Sequence, residues 1–239
     1  MKKPETAVNF IKMPSMLEEK NFIQCMRCEQ HSKKDEVCLP GGKYFCPHCI
    51  ELGRVTSDIP LYFIPEKERP CLFAPCKWQG VLTVAQKEIA NKIVKTINHC
   101  CKLLVYAVTG AGKTEMLFRG IESALSQGKR VGIVSPRVDV CVELYPRICA
   151  AFPDVKVLLL HGKSNAYFDS ALVICTTHQL LRFYQAFDVL IVDEIDAFPF
   201  VNEKMLHVGV KNALKNKAAL IYLTATPTND LIKDVRSQK

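Results

Sequence analysis

The sequence predicts an open α/β protein, a doubly wound parallel sheet with helices on both faces, preceded by a small module built on paired cysteines. Three observations carry this reading. From about residue 81, short continuous apolar runs alternate with amphipathic stretches. A glycine-containing loop, Ala107-Val-Thr-Gly-Ala-Gly-Lys-Thr114, joins one such run to the next amphipathic stretch. Two Cys-x-x-Cys pairs stand upstream with 17 residues between them. Apolar runs without alternation, separated by helices, describe strands whose two faces are both covered, which is the condition of a parallel sheet.

In chain order, residues 1–20 lack strong periodicity and read as a loosely ordered lead-in. Residues 21–58 hold the cysteine pairs, with Gly41-Gly42 as a turn between them. Residues 59–80 carry Pro60, Pro65, Pro70 and Pro75 and read as an extended connector, because proline disfavours helix in the residue before it. Residues 81–239 form the sheet-bearing lobe. Its expected strands are Leu103–Ala107, Arg130–Ser135, Val155–His161, Leu172–Thr176, Val189–Asp193 and Leu220–Thr224. Its expected helices are Glu115–Ser126, Val138–Ala151, Gln179–Gln185 and Asn202–Asn216.

With 239 residues, 49% apolar and 23% charged, the composition is that of a folded chain with one ordinary domain and a smaller module. No apolar run approaches the roughly 18 residues of a membrane span. No apolar core follows the basic N-terminus, so no secretory signal is expected. The net charge of +8 is uneven: residues 1–70 hold 11 Lys/Arg against 10 Asp/Glu, and residues 71–239 hold 21 against 14. The excess sits on the lobe, which suits a phosphate backbone as partner and, on this clue alone, equally a generally basic soluble protein.

Twelve cysteines without a secretion signal point to a reducing compartment. Cys25, Cys28, Cys46 and Cys49 have the spacing of a four-thiolate Zn²⁺ site, and so short a segment has too little core to fold without a staple. Cys38, His31 and His48 are second-choice ligands. Cys71 and Cys76 read as core or loop residues, and Cys100, Cys101, Cys141, Cys149 and Cys175 as small core hydrophobes.

The loop Thr109, Gly110, Ala111, Gly112, Lys113 and Thr114 lies between a strand and a helix, as a phosphate cradle must. Its backbone N–H groups converge on the phosphates, and the helix presents its positive end to them. Lys113 would reach the β/γ-phosphates of ATP and Thr114 would offer a hydroxyl to Mg²⁺. Ala107 replaces the glycine that opens the strict pattern. Downstream, Asp188-Val-Leu-Ile-Val-Asp-Glu-Ile-Asp196 is an apolar strand ending in carboxylates, and ligands of open α/β sheets sit beyond such ends. Asp193 would face the Mg²⁺ and Glu194 would orient or deprotonate the attacking water. Asp196 is placed to clamp neighbouring loops. Leu220-Ile-Tyr-Leu-Thr-Ala-Thr-Pro227 reads as a further buried strand, and its Thr-Ala-Thr-Pro end means little alone. It resembles the motif that couples ATP state to nucleic-acid binding in superfamily 2 helicases, which implies that Thr224 and Thr226 hydrogen-bond toward the acids.

Leu82-Thr-x-x-Gln86, Thr-Gly-Ala-Gly-Lys-Thr-Glu115, Asp-Glu-Ile-Asp196 and Thr-Ala-Thr226 together resemble superfamily 2 helicases of the primosomal PriA type, whose lobes are RecA-like. Ser135-Pro-Arg-Val-Asp-Val-Cys-Val-Glu-Leu-Tyr-Pro-Arg147 and Thr176-Thr-His-Gln-Leu-Leu-Arg-Phe183 resemble the late competence family ComFA, as does a four-cysteine zinc module ahead of a motor. The resemblance implies a DNA-dependent ATPase that draws single-stranded DNA into the cytoplasm during transformation, alongside other competence proteins at the inner face of the membrane. It implies that Gln86 reads the adenine and that Pro136, Arg137, Thr176, Thr177 and His178 line the DNA track. From the residues alone, Gln86 is equally a helix cap and Arg137 a helix start. The family closes ATP between two lobes, and no second sheet pattern follows Thr226, so weak hydrolysis by residues 1–239 is expected. The alternatives are a replication-restart helicase acting on forked DNA, and a binding module without catalysis.

Overall fold

A computed structural model describes residues 10–108, 110–162, 164, 167–200 and 203–226. The strands are β1 (Ile11–Met13), β2 (Met16–Glu18), β3 (Phe22–Cys25), β4 (His31–Lys33), β5 (Cys38–Leu39), β6 (Lys43–Tyr44), β7 (Leu61–Phe63), β8 (Lys102–Tyr106), β9 (Val131–Ser135), β10 (Val157–Leu160), β11 (Leu172–Thr176), β12 (Phe187–Val192) and β13 (Leu214–Thr224). The helices are α1 (Val84–His99), α2 (Lys113–Ser126), α3 (Val138–Ala151) and α4 (Lys204–Ala213), with 3₁₀ segments at Ile50–Leu52 and Thr177–Arg182.

Six strands form one sheet in the order β10-β11-β9-β12-β13-β8, every neighbouring pair parallel. Alternate residues supply its two cores. Ile133, Ile174, Ile191 and Ile221 face α1, α2 and α3, while Val134, Cys175, Leu190 and Val192 face α4 and the Thr177–Arg182 segment. Both faces are covered, and continuous apolar strands follow from that. Gly132 lets the faces close tightly, since a Cβ there would stand 2.7 Å from Leu190 Cδ1. The fold is therefore the RecA-like doubly wound sheet that the apolar runs predict. Among the described residues no helix is long and apolar enough to cross a membrane.

Helix α1 occupies residues to which the sequence reading gave no element. Its signal is a capping box: Thr83 Oγ1 accepts from Gln86 N, and Gln86 Oε1 accepts from Thr83 N. Ala90, Ile93 and Ile97 then recur at helical spacing and are buried. Residues Gln179–Gln185, expected as an α-helix, instead fall in a 3₁₀ segment over Thr177–Arg182 and the chain after it; the segment ends where Phe183 turns extended, and Gln185 beyond it takes a left-handed φ of 46°. Helix α4 stops at Ala213, short of the expected Asn216, because the chain turns into β13. Lys215 Nζ lies 2.8 and 2.9 Å from the two carboxylate oxygens of Asp188 and draws that strand alongside β12. The start of that expected helix, at Asn202, lies outside the described residues, as does Pro227.

Two strands, β1 and β2, fall within the segment read as a loose lead-in; β1 pairs with β7 of the connector, and β2 with β3. The connector is held to the lobe by backbone groups. Leu72 N donates to Leu125 O and Lys77 N to Ala151 O, carbonyls at the ends of α2 and α3. Fully buried Arg130 adds a second tie: it donates to Glu66 of the connector, to Ser170 O at 3.0 Å and to Tyr167 Oη at 3.0 Å, and stacks on Phe183 and Phe187. Cys141 and Cys175 are core residues as expected, whereas Cys100 and Cys101 are exposed. They lie at the turn between α1 and β8, where Cys100 caps the helix in the left-handed region instead of packing.

Candidate nucleotide site and metal centre

The glycine loop leads from β8 into α2. Gly110 and Gly112 both have positive φ, 79° and 72°, which L side chains rarely adopt. Gly112 is also crowded, because a Cβ there would meet Gln86 Nε2 at 2.6 Å. Thr114 is buried in the first turn of α2, and Lys113 Nζ stands 3.8 Å from Asp193 Oδ1. Thr109 lies outside the described residues. The hydroxyl of Thr114 and the carboxylate of Asp193 are the hard oxygen donors that suit Mg²⁺. Burial raises the Asp193 carboxyl above its ordinary value, and Lys113 opposes the shift. A cation here would relieve the same cost.

Glu194 follows in a left-handed conformation, φ 54°. Its N–H donates to Asp193 Oδ1 at 2.9 Å. Its Oε2 is buried with no hydrogen-bond partner among the described residues, and Arg137 Nε lies 3.9 Å away. Burial, chiefly, raises its carboxyl, against the Arg137 charge. Asp196 differs: burial pushes it up, but hydrogen bonds from Thr226 and Thr224 outweigh that and hold it below the usual carboxylate range. Thr226 Oγ1 bonds Asp196, and Thr226 N donates to buried Thr224 Oγ1 at 3.0 Å. The end of β13 is thereby tied to the acid-bearing turn.

Gln86 is engaged on both sides of its amide. Besides the capping box, Nε2 donates to Ala111 O of the loop at 2.8 Å. One amide N–H and one lone pair remain for a base. Beside the loop is a groove of about 280 Å³ that sequence reading missed. Trp78, Leu82 and Phe118 wall it, with Lys87, Glu115 and Arg119 at its rim. The available signal was Trp78, the sole tryptophan in the chain, standing in a proline-rich stretch. Gly80 makes room for it, since a Cβ there would fall 2.0 Å from the indole.

The residues assigned to the DNA track do not form one exposed set. Arg137 is exposed and paired with Asp139, and half-exposed His178 lies 3.6 Å from Glu203. Pro136, Thr176 and Thr177 are buried. Thr176 closes β11 and Thr177 opens the segment packed under α4, so neither threonine offers its side chain to a strand of nucleic acid.

Cys25, Cys28, Cys46 and Cys49 are buried, and their sulfurs lie within 4.8 Å of one another. The separations are 3.9 Å for Cys25–Cys49, 3.6 Å for Cys28–Cys46 and 3.6 Å for Cys46–Cys49. A tetrahedron with Zn–S bonds of about 2.3 Å has edges of about 3.8 Å, so the donors fit that metal. Hydrogen bonds from Cys25 and then Cys28 lower the thiols of Cys46 and Cys49. Cys38 is exposed, and His31 and His48 are engaged with Glu19 and Ser32, so the second-choice ligands stand outside the cluster. The module shares its core with the lobe: Leu181 is buried among its residues, and Met205 packs against them.

With this geometry in view, the chain can be set beside known proteins. A family described as "Type III restriction enzyme, res subunit" (ResIII) matches residues 79–229. Competence protein ComFA of Streptococcus pneumoniae is 45% identical over 225 residues, covering 94% of this chain and 51% of that protein. ComFA of Bacillus subtilis is 46% identical over 217 residues, covering 89% and 47%. Replication restart protein PriA of B. subtilis is 24% identical over 151 residues, covering 57% and 18%. The chain thus spans about half the length of the ComFA relatives. Two solved structures share the fold. The Sulfolobus solfataricus SWI2/SNF2 ATPase core in complex with dsDNA has a TM-score of 0.54 at 17% identity, covering 71% of this chain and 36% of that one. The UvsW helicase from bacteriophage T4 has 0.51 at 12%, covering 69% and 61%. The chain belongs to the ResIII family, and over nearly its whole length it is similar to the ComFA proteins.

Proposed function

We propose that the chain is the zinc module and first motor lobe of an ATP-driven translocase that moves single-stranded DNA during competence. The observation that carries this is the convergence at the carboxyl ends of the strands, where Lys113 stands 3.8 Å from Asp193 and Glu194 follows with a buried carboxylate oxygen that has no hydrogen-bond partner among the described residues. In this reading the loop from Thr109 to Thr114 holds the phosphates, Lys113 neutralises them, and Thr114 and Asp193 hold Mg²⁺. The bound Mg²⁺ supplies charge neutralisation on the phosphate oxygens. Glu194 orients the attacking water and accepts its proton. The groove beside Trp78 and Phe118 takes the base, with Gln86 at its edge. Asp196, Thr224 and Thr226 transmit nucleotide state. Arg137 and His178 serve the DNA, and the four cysteines hold Zn²⁺. The name of the ComFA relatives supports the competence role, and other competence proteins as partners at the inner face of the membrane belong to the same proposal.

Lys113→Ala in the full-length protein tests the motor. ATP turnover is expected to fall by about 10²-fold or more, as when one charge-stabilising donor is removed, and transformation to be lost while thermal unfolding is unchanged. Transformation that survives the substitution would sink the motor reading and leave a binding module. Stimulation by forked duplexes in preference to single strands would favour the replication-restart alternative.

A further inference from the structure

Arg27 sits between the two cysteines of the first pair, and its side chain crosses to the second. Nε donates to Cys49 Sγ at 3.3 Å. Nη1 donates to Leu52 O at 3.3 Å, and Nη2 to the carbonyls of Gly53, at 2.7 Å, and Cys49. An arginine that only caps the Ile50–Leu52 turn would account for the carbonyl bonds. It would not account for the bond to sulfur.

We propose that Arg27 is an outer-shell positioning residue of the four-cysteine metal site, donating to one ligand sulfur and fixing the turn that bears it. The proposal rests on the zinc reading above. Four thiolates around a divalent cation leave a net charge of about −2, and each must lose a proton before it binds. A charged N–H donor on Cys49 Sγ offsets part of that excess charge. The planar fork matters as much as the charge, because it bonds sulfur and three backbone carbonyls at once. Lysine has the charge without the fork. The turn also contacts the Thr177–Arg182 segment, and Leu181 of that segment is buried in the module's core. Arg27 therefore links the metal ligands to the lobe surface on which the module rests.

The test uses the whole chain, unsubstituted and as Arg27→Gln and Arg27→Lys. Zinc content is measured directly, and affinity by competition with a chromophoric chelator at fixed pH. Arg27→Gln is expected to weaken zinc binding by roughly 10–100-fold, the range for lost outer-shell partners, and Arg27→Lys by less. With Co²⁺ as the probe, the sulfur-to-metal band is expected to move to longer wavelength in Arg27→Gln, because a sulfur that loses its donor gives up charge more readily. If Arg27→Gln prevents the module from folding, the Arg27→Lys affinity and spectrum decide. Stoichiometric zinc bound with unchanged affinity and an unchanged Co²⁺ spectrum in the variants overturns the role of Arg27 and leaves the zinc site standing. An unsubstituted chain that binds no zinc removes the site and the role together.

Discussion

Glutamine in place of Glu194 is expected to lower ATP turnover of the full-length protein by roughly 10²–10⁴-fold, the range for a lost general base, with nucleotide affinity retained. Glutamine keeps the shape and one acceptor oxygen but cannot take a proton. The residue is also held in a left-handed conformation that only a few residue types tolerate, a cost that persists where surrounding structure enforces it. Burial raises the Glu194 carboxyl, and a base must be ionised to act. Turnover should therefore be lost as pH falls through a value above that of a free glutamate, and the variant should lack this acidic limb. The measurement is kcat against pH beside binding of a fluorescent ATP analogue. Equal losses in binding and turnover would make Glu194 part of the nucleotide's bed instead of its base.

Glu66→Ala is expected to be strongly destabilising although Glu66 lies outside the site. Arg130 is fully buried, and Glu66 is its closest carboxylate, so truncation leaves a buried cation short of a partner. Breaking a buried pair in this way costs about 3–5 kcal/mol. The low end is expected, because Asp169 remains 3.8 Å from Arg130 and two rings share its charge. At about 3 kcal/mol, Tm falls by roughly 6–12 °C. Glu66→Gln keeps an acceptor and should cost less. Exposed Glu68→Ala, two residues away, should shift stability by no more than about 0.5 kcal/mol. Equal Tm values for Glu66→Ala and Glu68→Ala would show that the connector is not clamped through this pair.

The sheet was legible because its signal is local: a strand buried on both faces must be apolar at every position, whatever lies beside it. The sequence places both ends of helix α3 and fixes α2 to within two residues. The phosphate loop, acid pair and cysteine pairs were legible because their chemistry demands fixed spacing. Helix α1 escaped because its polar residues dilute the apolar stripe, although Gln86 reads from the residues alone equally as a helix cap. The strands at residues 11–18 escaped because three-residue strands carry no period, and their pairing partners set them. Burial of Thr176 and Thr177, the shared core around Leu181 and the fork of Arg27 depend on segments far apart in sequence. No spacing announces them.

Strand β8, which delivers the glycine loop, is the outermost strand of the sheet among the described residues, and β13 is its sole lateral neighbour there. Ala107 N, at the start of the loop, still hangs from Thr224 O at 3.0 Å. The loop is thus suspended like a cantilever from the strand that ends in Thr224 and Thr226. A shift of a few tenths of an ångström in that strand tip would reach the loop through one hydrogen-bond ladder, with no opposing strand to absorb it. On the proposed coupling role of Thr224 and Thr226, signal and support would run through the same backbone.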